Sequence, residues 1–323
     1  MLTSDQYVES FVELIRRASS ELPADVVEAI EAGRGREEEG GLAFKAFDTI
    51  LDNIALARER SAPICQDTGT PVVWIHHPVG VSARQLERAF EQAVVQATER
   101  QYLRPNAVNT LTGRNTGTGA GRGIPFVHSA EWDEDDIEVR MLLKGGGSEN
   151  VGTQYKLPDG GLKAGRNLDG VRRAVLDAVF QAQGKGCAPG ILGVCVGGDR
   201  VSGFTETKRQ LLRPLGDTNP VPELAELEAR LMTEANSLGI GPMGFGGETT
   251  VLGVKVGVLD RLPACYFVTV SYMCWASRRA GLRIGSGARR CLAMDRPNGY
   301  GTRPPGPDRR PRRNRARRTR FVH

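Results

Sequence analysis

The chain has 323 residues, a length that suggests about two domains. Its 40% hydrophobic and 25% charged residues are ordinary for a globular protein and exclude wholesale disorder and a collagen-like fibre. The net charge of +5 would suggest an acidic partner. However, residues 285–323 contain twelve arginines and two aspartates, so this segment carries +10 and the preceding 284 residues carry −5.

Hydrophobic periodicity predicts a mixture of helices and strands without a regular βαβ rhythm. Apolar residues at helical spacing, a Ser82/Gln85 capping pair and a first-turn Pro222 predict six helices, the second of which should end at Gly33. Short apolar runs bounded by Gly and Pro predict six strands. The mixture favours an α+β fold with short, mostly antiparallel strands. The helices are predicted at 8–15, 25–32, 44–60, 82–102, 171–179 and 224–238, and the strands at 72–75, 124–128, 137–143, 191–196, 249–258 and 266–272.

The C-terminal segment differs in kind from the rest, so we divide the chain into a domain at 1–284 and a tail at 285–323. Only nine of the 39 tail residues are hydrophobic, and such a segment cannot bury enough apolar surface to fold, which predicts disorder. A nucleic-acid-binding arm is an alternative, but Tyr300 and Phe321 are its only aromatic residues. Arg, Pro, Gly and Ala without Lys also fit GC-rich DNA translated in a shifted frame, so a frameshift is a third hypothesis.

Targeting signals and membrane segments are not predicted. No apolar stretch approaches the roughly 18 residues that span a bilayer. The N-terminus has no basic region followed by an apolar one, as a signal peptide would. We therefore expect a cytoplasmic protein.

The six cysteines divide by their surroundings. No pair has CxxC spacing, and without a secretory signal a disulfide framework is not expected. Cys195 and Cys265 lie in or beside apolar runs and are interpreted as small buried hydrophobic residues, while Cys291 belongs to the tail.

The other three cysteines, Cys65, Cys187 and Cys274, lie at element edges among Pro, Gly and polar residues. Functional sites are often built at such positions. Three thiolates could hold a 4Fe–4S cluster with one iron left without a protein ligand, open to substrate. Inert thiols are the alternative that spacing alone leaves open.

Two glycine-rich runs could bring backbone close to a ligand or simply form tight turns. They are KGGGSEN (144–150), after a predicted strand, and GPMGFGGETT (241–250), before one. Neither matches GxGxxG opening a helix or GxxxxGK[ST], which disfavours a nucleotide-binding fold.

In combination these motifs resemble the iron–sulfur hydro-lyases, namely the N-terminal or alpha region of class I fumarate hydratase and L-tartrate dehydratase. The resemblance covers roughly residues 5–284. It rests on PICQDTG (63–69), KGGGSEN (144–150), Cys187 before ILGV (191–194), GIGPMG (239–244) and SYMCW (271–275).

The resemblance implies which residues form the active site. Cys65, Cys187 and Cys274 would be the ligands of a 4Fe–4S cluster. Asp67 would take part in acid–base catalysis, although an Asx turn is its structural alternative.

It also implies the groups that bind substrate. Gln66 would lie in the substrate site, and Arg104 would bind a substrate carboxylate, unless it is a solvated arginine at a helix end. Gly146 and Gly147 would present backbone amides to a small dicarboxylate.

The resemblance further implies a partner. Nothing after Ile284 resembles the C-terminal domain of single-chain family members, so the chain is expected to be the alpha subunit of a hetero-oligomer with a beta subunit. The first functional hypothesis is reversible hydration of fumarate to malate. L-tartrate dehydration or hydration of a related dicarboxylate is the alternative within the class. A nucleic-acid-binding protein and an inactive cluster scaffold are alternatives outside it.

Overall fold

The computed structural model describes residues 3–285 and, for the backbone alone, 289–292. It is an α+β fold, as predicted, and its strands form two sheets. Within that part of the chain no helix is long and apolar enough to cross a membrane. The helices are α1 (Ser4–Ser20), α2 (Ala24–Arg34), α3 (Leu42–Arg60), α4 (Ala83–Glu99), the single-turn α5 (Gly146–Asn150), α6 (Leu168–Ala182), α7 (Arg200–Gln210) and α8 (Pro222–Asn236).

In the part of the chain that the structure describes, nine strands form the two sheets, and five of their seven pairings are antiparallel. A five-stranded sheet has the order β2-β1-β3-β8-β9, and a four-stranded sheet has the order β4-β7-β5-β6. The strands are β1 (Thr70–Pro78), β2 (Phe126–Trp132), β3 (Ile137–Lys144), β4 (Thr153–Lys156), β5 (Gly190–Gly197), β6 (Val251–Leu259), β7 (Phe267–Met273), β8 (Arg279–Ile284) and β9 (Arg289–Leu292).

Three hydrophobic clusters hold the layers together. One packs α1 and α4 on a face of the five-stranded sheet, and a second packs α6 and α8 on the four-stranded sheet. The third joins α2 and α3 to both sheets, through residues such as Leu142 of β3 and Met273 of β7. The chain crosses between the sheets twice, from β3 to β4 and from β7 to β8. Segments that carry predicted site residues lie in both crossings.

Besides the unpredicted α5, α7, β4 and β8 and some shifted element ends, two details of the predicted elements differ from the structure. α2 does not end at Gly33 but continues to Arg34. Gly33 is tolerated there because it faces the Phe47 ring, where a Cβ would approach within 2.8 Å. In the segment expected to be disordered, the backbone of Arg289–Leu292 forms β9 on β8. The remaining tail, and with it the disorder, frameshift and nucleic-acid hypotheses, lies outside the described residues.

The contact between α7 and β5 requires a glycine. A Cβ at Gly193 would lie 2.1 Å from the Thr207 carbonyl oxygen, so a side chain there must displace the helix backbone. We expect Gly193→Ala to lower the free energy of unfolding by about 1–3 kcal/mol, as overpacking typically does. Denaturant unfolding of the cofactor-free chain measures this loss. Gly216→Ala is the matched control, because nothing lies within 4 Å of its Cβ position; equal stability of the two variants would contradict the prediction.

Candidate active site

Four connections converge at one end of the two sheets. Strand register places Thr70, at the start of β1, opposite Lys144, at the end of β3. The same end of β3 pairs with β8, where Leu142 lies opposite Arg279, and in the other sheet Ile191 lies opposite Met273. Four segments therefore meet here: the segment before β1, the turn after β3, the segment before β5 and the β7–β8 crossing. These four segments contain all the predicted site residues except Arg104.

The three predicted cluster ligands lie in three of these segments, and each is half-buried. The Trp275 amide donates to the Cys187 carbonyl oxygen (3.2 Å), which ties the β7–β8 crossing to the segment before β5. Burial raises the pKa of the Cys187 thiol, and the neighbouring Cys65 and Asp67 raise it further. Burial also raises the pKa of Cys274, against the opposing effect of Arg278. The thiols are thus close enough to influence one another's ionisation.

The donor set fits a cluster better than a single ion. In residues 3–285 no group of three or more His, Cys, Asp or Glu side chains could hold one metal ion. In an iron–sulfur cluster, by contrast, each thiolate binds its own iron, so the sulfurs need not share one ion. The buried Tyr272 hydroxyl, near Cys274 and Cys187, has no hydrogen-bond partner within that range. A buried donor without an acceptor is costly, and cluster sulfides would provide acceptors beside it.

Backbone amides hold both carboxylate oxygens of Asp67. Its Oδ1 accepts from the Gly69 amide (3.0 Å), which is the Asx turn considered above, and its Oδ2 accepts from the Gly146 amide (2.7 Å). Gly69 has φ +78°, and a Cβ there would lie 2.9 Å from the β3 backbone, so this turn requires glycine. The Asx turn is therefore present, and the same carboxylate is held against the glycine turn after β3. The acid–base role of Asp67 stays a prediction.

Arg278 is a site residue that the sequence analysis did not assign. Its side chain is buried (1% exposed), and its Nη1 donates to the Asp67 carbonyl oxygen (2.6 Å). Among the described residues it makes no ion pair with a carboxylate. Its charge instead acts on Cys274, where it lowers the thiol pKa. Its position three residues after the end of the SYMCW motif was the available signal.

Gln66 and Arg104 are brought together at the exposed rim. Arg104 Nη1 lies 3.4 Å from the Gln66 carbonyl oxygen, and the Arg104 amide donates to Thr68 Oγ1 (3.0 Å). Both Gln66 and Arg104 are exposed. The Arg104 backbone is therefore anchored to the site while its guanidinium stays accessible.

The glycine turn after β3 contains Gly146 and Gly147, both exposed. The Gly146 amide differs from expectation because it donates to Asp67, while Gly147 remains at the open start of α5. Behind the turn lies Lys144, whose side chain is 2% exposed and which was quoted in a motif but given no role. Burial lowers its pKa to about 8, although Glu149 opposes this shift.

The cysteines outside the site have different environments. Cys195 is fully buried in β5, as predicted, and burial raises its pKa to about 12. Cys265 was predicted to be buried and is only half-buried, because it precedes β7 in a turn rather than lying in the strand.

Comparison with known proteins identifies the family. The model of the family Fumarate hydratase (Fumerase) matches residues 8–283. The chain belongs to this family. The match includes every strand except β9 and the last residue of β8, together with all four segments of the site. It confirms the resemblance that the sequence motifs gave.

Among curated relatives, a putative fumarate hydratase class I of Geobacillus stearothermophilus is 48% identical over 87% of this chain and 55% of its own length. This chain thus spans about half of that relative. A putative L(+)-tartrate dehydratase subunit alpha of Methanocaldococcus jannaschii is 36% identical, over 84% of this chain and 95% of its own. The L(+)-tartrate dehydratase subunit alpha of Escherichia coli K12 is 32% identical, over 86% and 90%.

Proposed function

We propose that this chain is the cluster-binding part of a 4Fe–4S hydro-lyase that reversibly hydrates fumarate to malate. The main support is the convergence of Cys65, Cys187 and Cys274 with Asp67 at one end of both sheets. Fumarate is preferred to L-tartrate because the fumarate hydratase relative is 48% identical, against 36% and 32% for the tartrate dehydratase subunits. All these relatives carry hydro-lyase names, which disfavours a nucleic-acid-binding function.

In this proposal Cys65, Cys187 and Cys274 hold the cluster, which supplies a Lewis-acidic iron without a protein ligand. Arg278 places a permanent positive charge beside Cys274 and favours the thiolate form that metal binding requires. Tyr272 offers a buried hydroxyl as a hydrogen-bond donor.

The remaining residues bind and orient the substrate. Arg104, at the exposed rim, pairs with a carboxylate of the dicarboxylate, and Gln66 lies beside it. The Gly147 amide, at the open start of α5, is available to the same ligand. Asp67 carries the proton transfer, and its carboxylate is preoriented by the amides of Gly69 and Gly146.

We further propose a beta subunit as partner. The tartrate dehydratase relatives are named alpha subunits, and the fumarate hydratase relative has nearly half its length unmatched by this chain. The open position of Gln66, Arg104 and Gly147 leaves room for a second polypeptide to close the site.

A hydration assay tests the proposed function. The full chain is reconstituted anaerobically with iron and sulfide and assayed alone and with a polypeptide matching the unmatched part of the Geobacillus relative. We expect negligible turnover by the chain alone, fumarate hydration by the pair, and slower dehydration of L-tartrate. Substantial turnover by the chain alone would contradict the need for a partner. A pair that is inactive on fumarate would contradict the function.

A further inference from the structure

Three charged side chains form a continuous series beside the glycine turn. Lys144 Nζ lies 3.2 Å from Glu149 Oε2, and Lys208 Nζ lies 2.8 Å from Glu149 Oε1. Lys144 ends β3, Glu149 belongs to α5, and Lys208 belongs to α7, which packs on β5 and β7. This triad therefore connects the five-stranded sheet to a helix of the other layer, at the point where the chain crosses between them.

Hydrogen bonds join the triad to the turn itself. Lys144 Nζ donates to Ser148 Oγ (3.1 Å), which donates to the Gly145 carbonyl oxygen (3.0 Å). The Glu149 amide donates to the same carbonyl oxygen (2.9 Å). On the opposite side the Gly146 amide donates to Asp67. The turn is thus held from behind by the triad and from the front by the Asp67 carboxylate.

Because Lys144 is buried, this arrangement depends on the charge that pairs with its ammonium group. An ammonium group as buried as that of Lys144 is costly unless it is paired and hydrogen-bonded. Glu149 provides the pairing charge. Burial opposes ionisation of Glu149, but the two lysines outweigh it and lower the pKa of Glu149. The Glu149 side chain is itself 45% exposed, so both pairs are only partly buried. Ion pairs taken out of water contribute little net stability, and their best-supported benefit is to select one arrangement over others.

We propose that the Lys144–Glu149–Lys208 triad is a positioning device that fixes the 145–147 turn so that the Gly147 amide faces a dicarboxylate ligand. The identity of the ligand rests on the proposed function. The three residues act through the turn, so they are positioning residues rather than catalytic ones. Without the triad the turn is expected to open and close locally while both sheets remain folded.

Hydrogen exchange of the Gly146 and Glu149 amides tests the positioning directly and needs neither cluster nor substrate. Glu149→Gln and Lys208→Met should accelerate their exchange by at least about tenfold, because local opening then costs less. Lys208→Arg keeps the cation and should stay near the wild-type rate. Glu39→Gln and Lys45→Met, at exposed positions without an ion pair among the described residues, are the matched controls. Unchanged exchange in Glu149→Gln and Lys208→Met would overturn the proposal.

Kinetics of the reconstituted pair test whether the positioning serves the ligand. Lys208→Met should raise KM for fumarate by about threefold or more with a smaller change in kcat, and Lys208→Arg should restore it. Faster exchange with an unchanged KM would overturn the assignment to the ligand. Failure of the proposed function would look different, because wild type itself would then be inactive while the exchange rates still reported on the turn.

Discussion

Replacing Arg278 with methionine is expected to weaken iron retention by roughly 10- to 100-fold, the loss typical when a residue behind a metal ligand is removed. Arg278 is buried, donates to the Asp67 carbonyl oxygen and opposes the rise in the Cys274 thiol pKa that burial causes. Its removal raises the thiol pKa and frees the loop that carries Asp67. Competition between reconstituted protein and an iron chelator measures the effect.

Two further variants separate charge from general damage at Arg278. Arg278→Lys keeps a positive charge but cannot reproduce the planar guanidinium. We therefore expect it to weaken iron retention, but less than Arg278→Met does. Arg84→Met, at an exposed position on α4 without a partner among the described residues, should retain iron as wild type does. Wild-type iron retention by Arg278→Met would contradict the role given to this charge.

Replacing Asp67 with asparagine is expected to reduce fumarate hydration by about 10²–10⁴-fold, the usual contribution of a positioned general acid or base. The amide is close in shape to the carboxylate but cannot carry the proton. It can also accept from only one of the two amides, Gly69 and Gly146, that Asp67 now binds. Steady-state rates of the reconstituted pair give the size of the loss.

The structural alternative for Asp67 makes a different prediction. If Asp67 only forms an Asx turn, replacing it should lower kcat by less than about tenfold. Such a loss corresponds to the free energy of one neutral hydrogen bond. Asp52→Asn, at an exposed position on α3, is the control for the loss of a carboxylate. A kcat for Asp67→Asn within tenfold of wild type would therefore contradict a catalytic role.

The sequence predicted well the elements whose packing is carried by large apolar residues. The α1, α4, α6 and α8 helices each bury an apolar stripe, and the period of that stripe is visible in the sequence. The α7 helix was missed because it packs through close backbone approach: Gly193 lies under Thr207, and Gly203 lies against Thr269. Small and polar residues at such contacts leave no hydrophobic period to detect.

The β8 strand was missed for a different reason. It begins with Arg279, whose charge is buried against Asp25 of α2, so a core position is occupied by a residue that normally indicates a surface. The partner lies more than 250 residues away in sequence. Only the tertiary fold brings the two charges together.

In the candidate site, too, some residues could be selected from the sequence and others could not. The cysteines were selected by position at element edges, and the structure brings Cys65, Cys187 and Cys274 near one another. That they bind a cluster stays a prediction. Arg278 and the Lys144–Glu149–Lys208 triad could not be found in this way. Their importance comes from burial and from partners on other elements, which have no fixed spacing in the sequence.

The most direct test of the central claim is visible absorbance after anaerobic reconstitution of the full chain with iron and sulfide. Wild type and Cys265→Ala should develop the brown iron–sulfur chromophore, because Cys265 lies outside the site. Cys65→Ala, Cys187→Ala and Cys274→Ala should each lose most or all of it. A colourless wild-type protein, or a full chromophore in any of these three variants, would contradict the account.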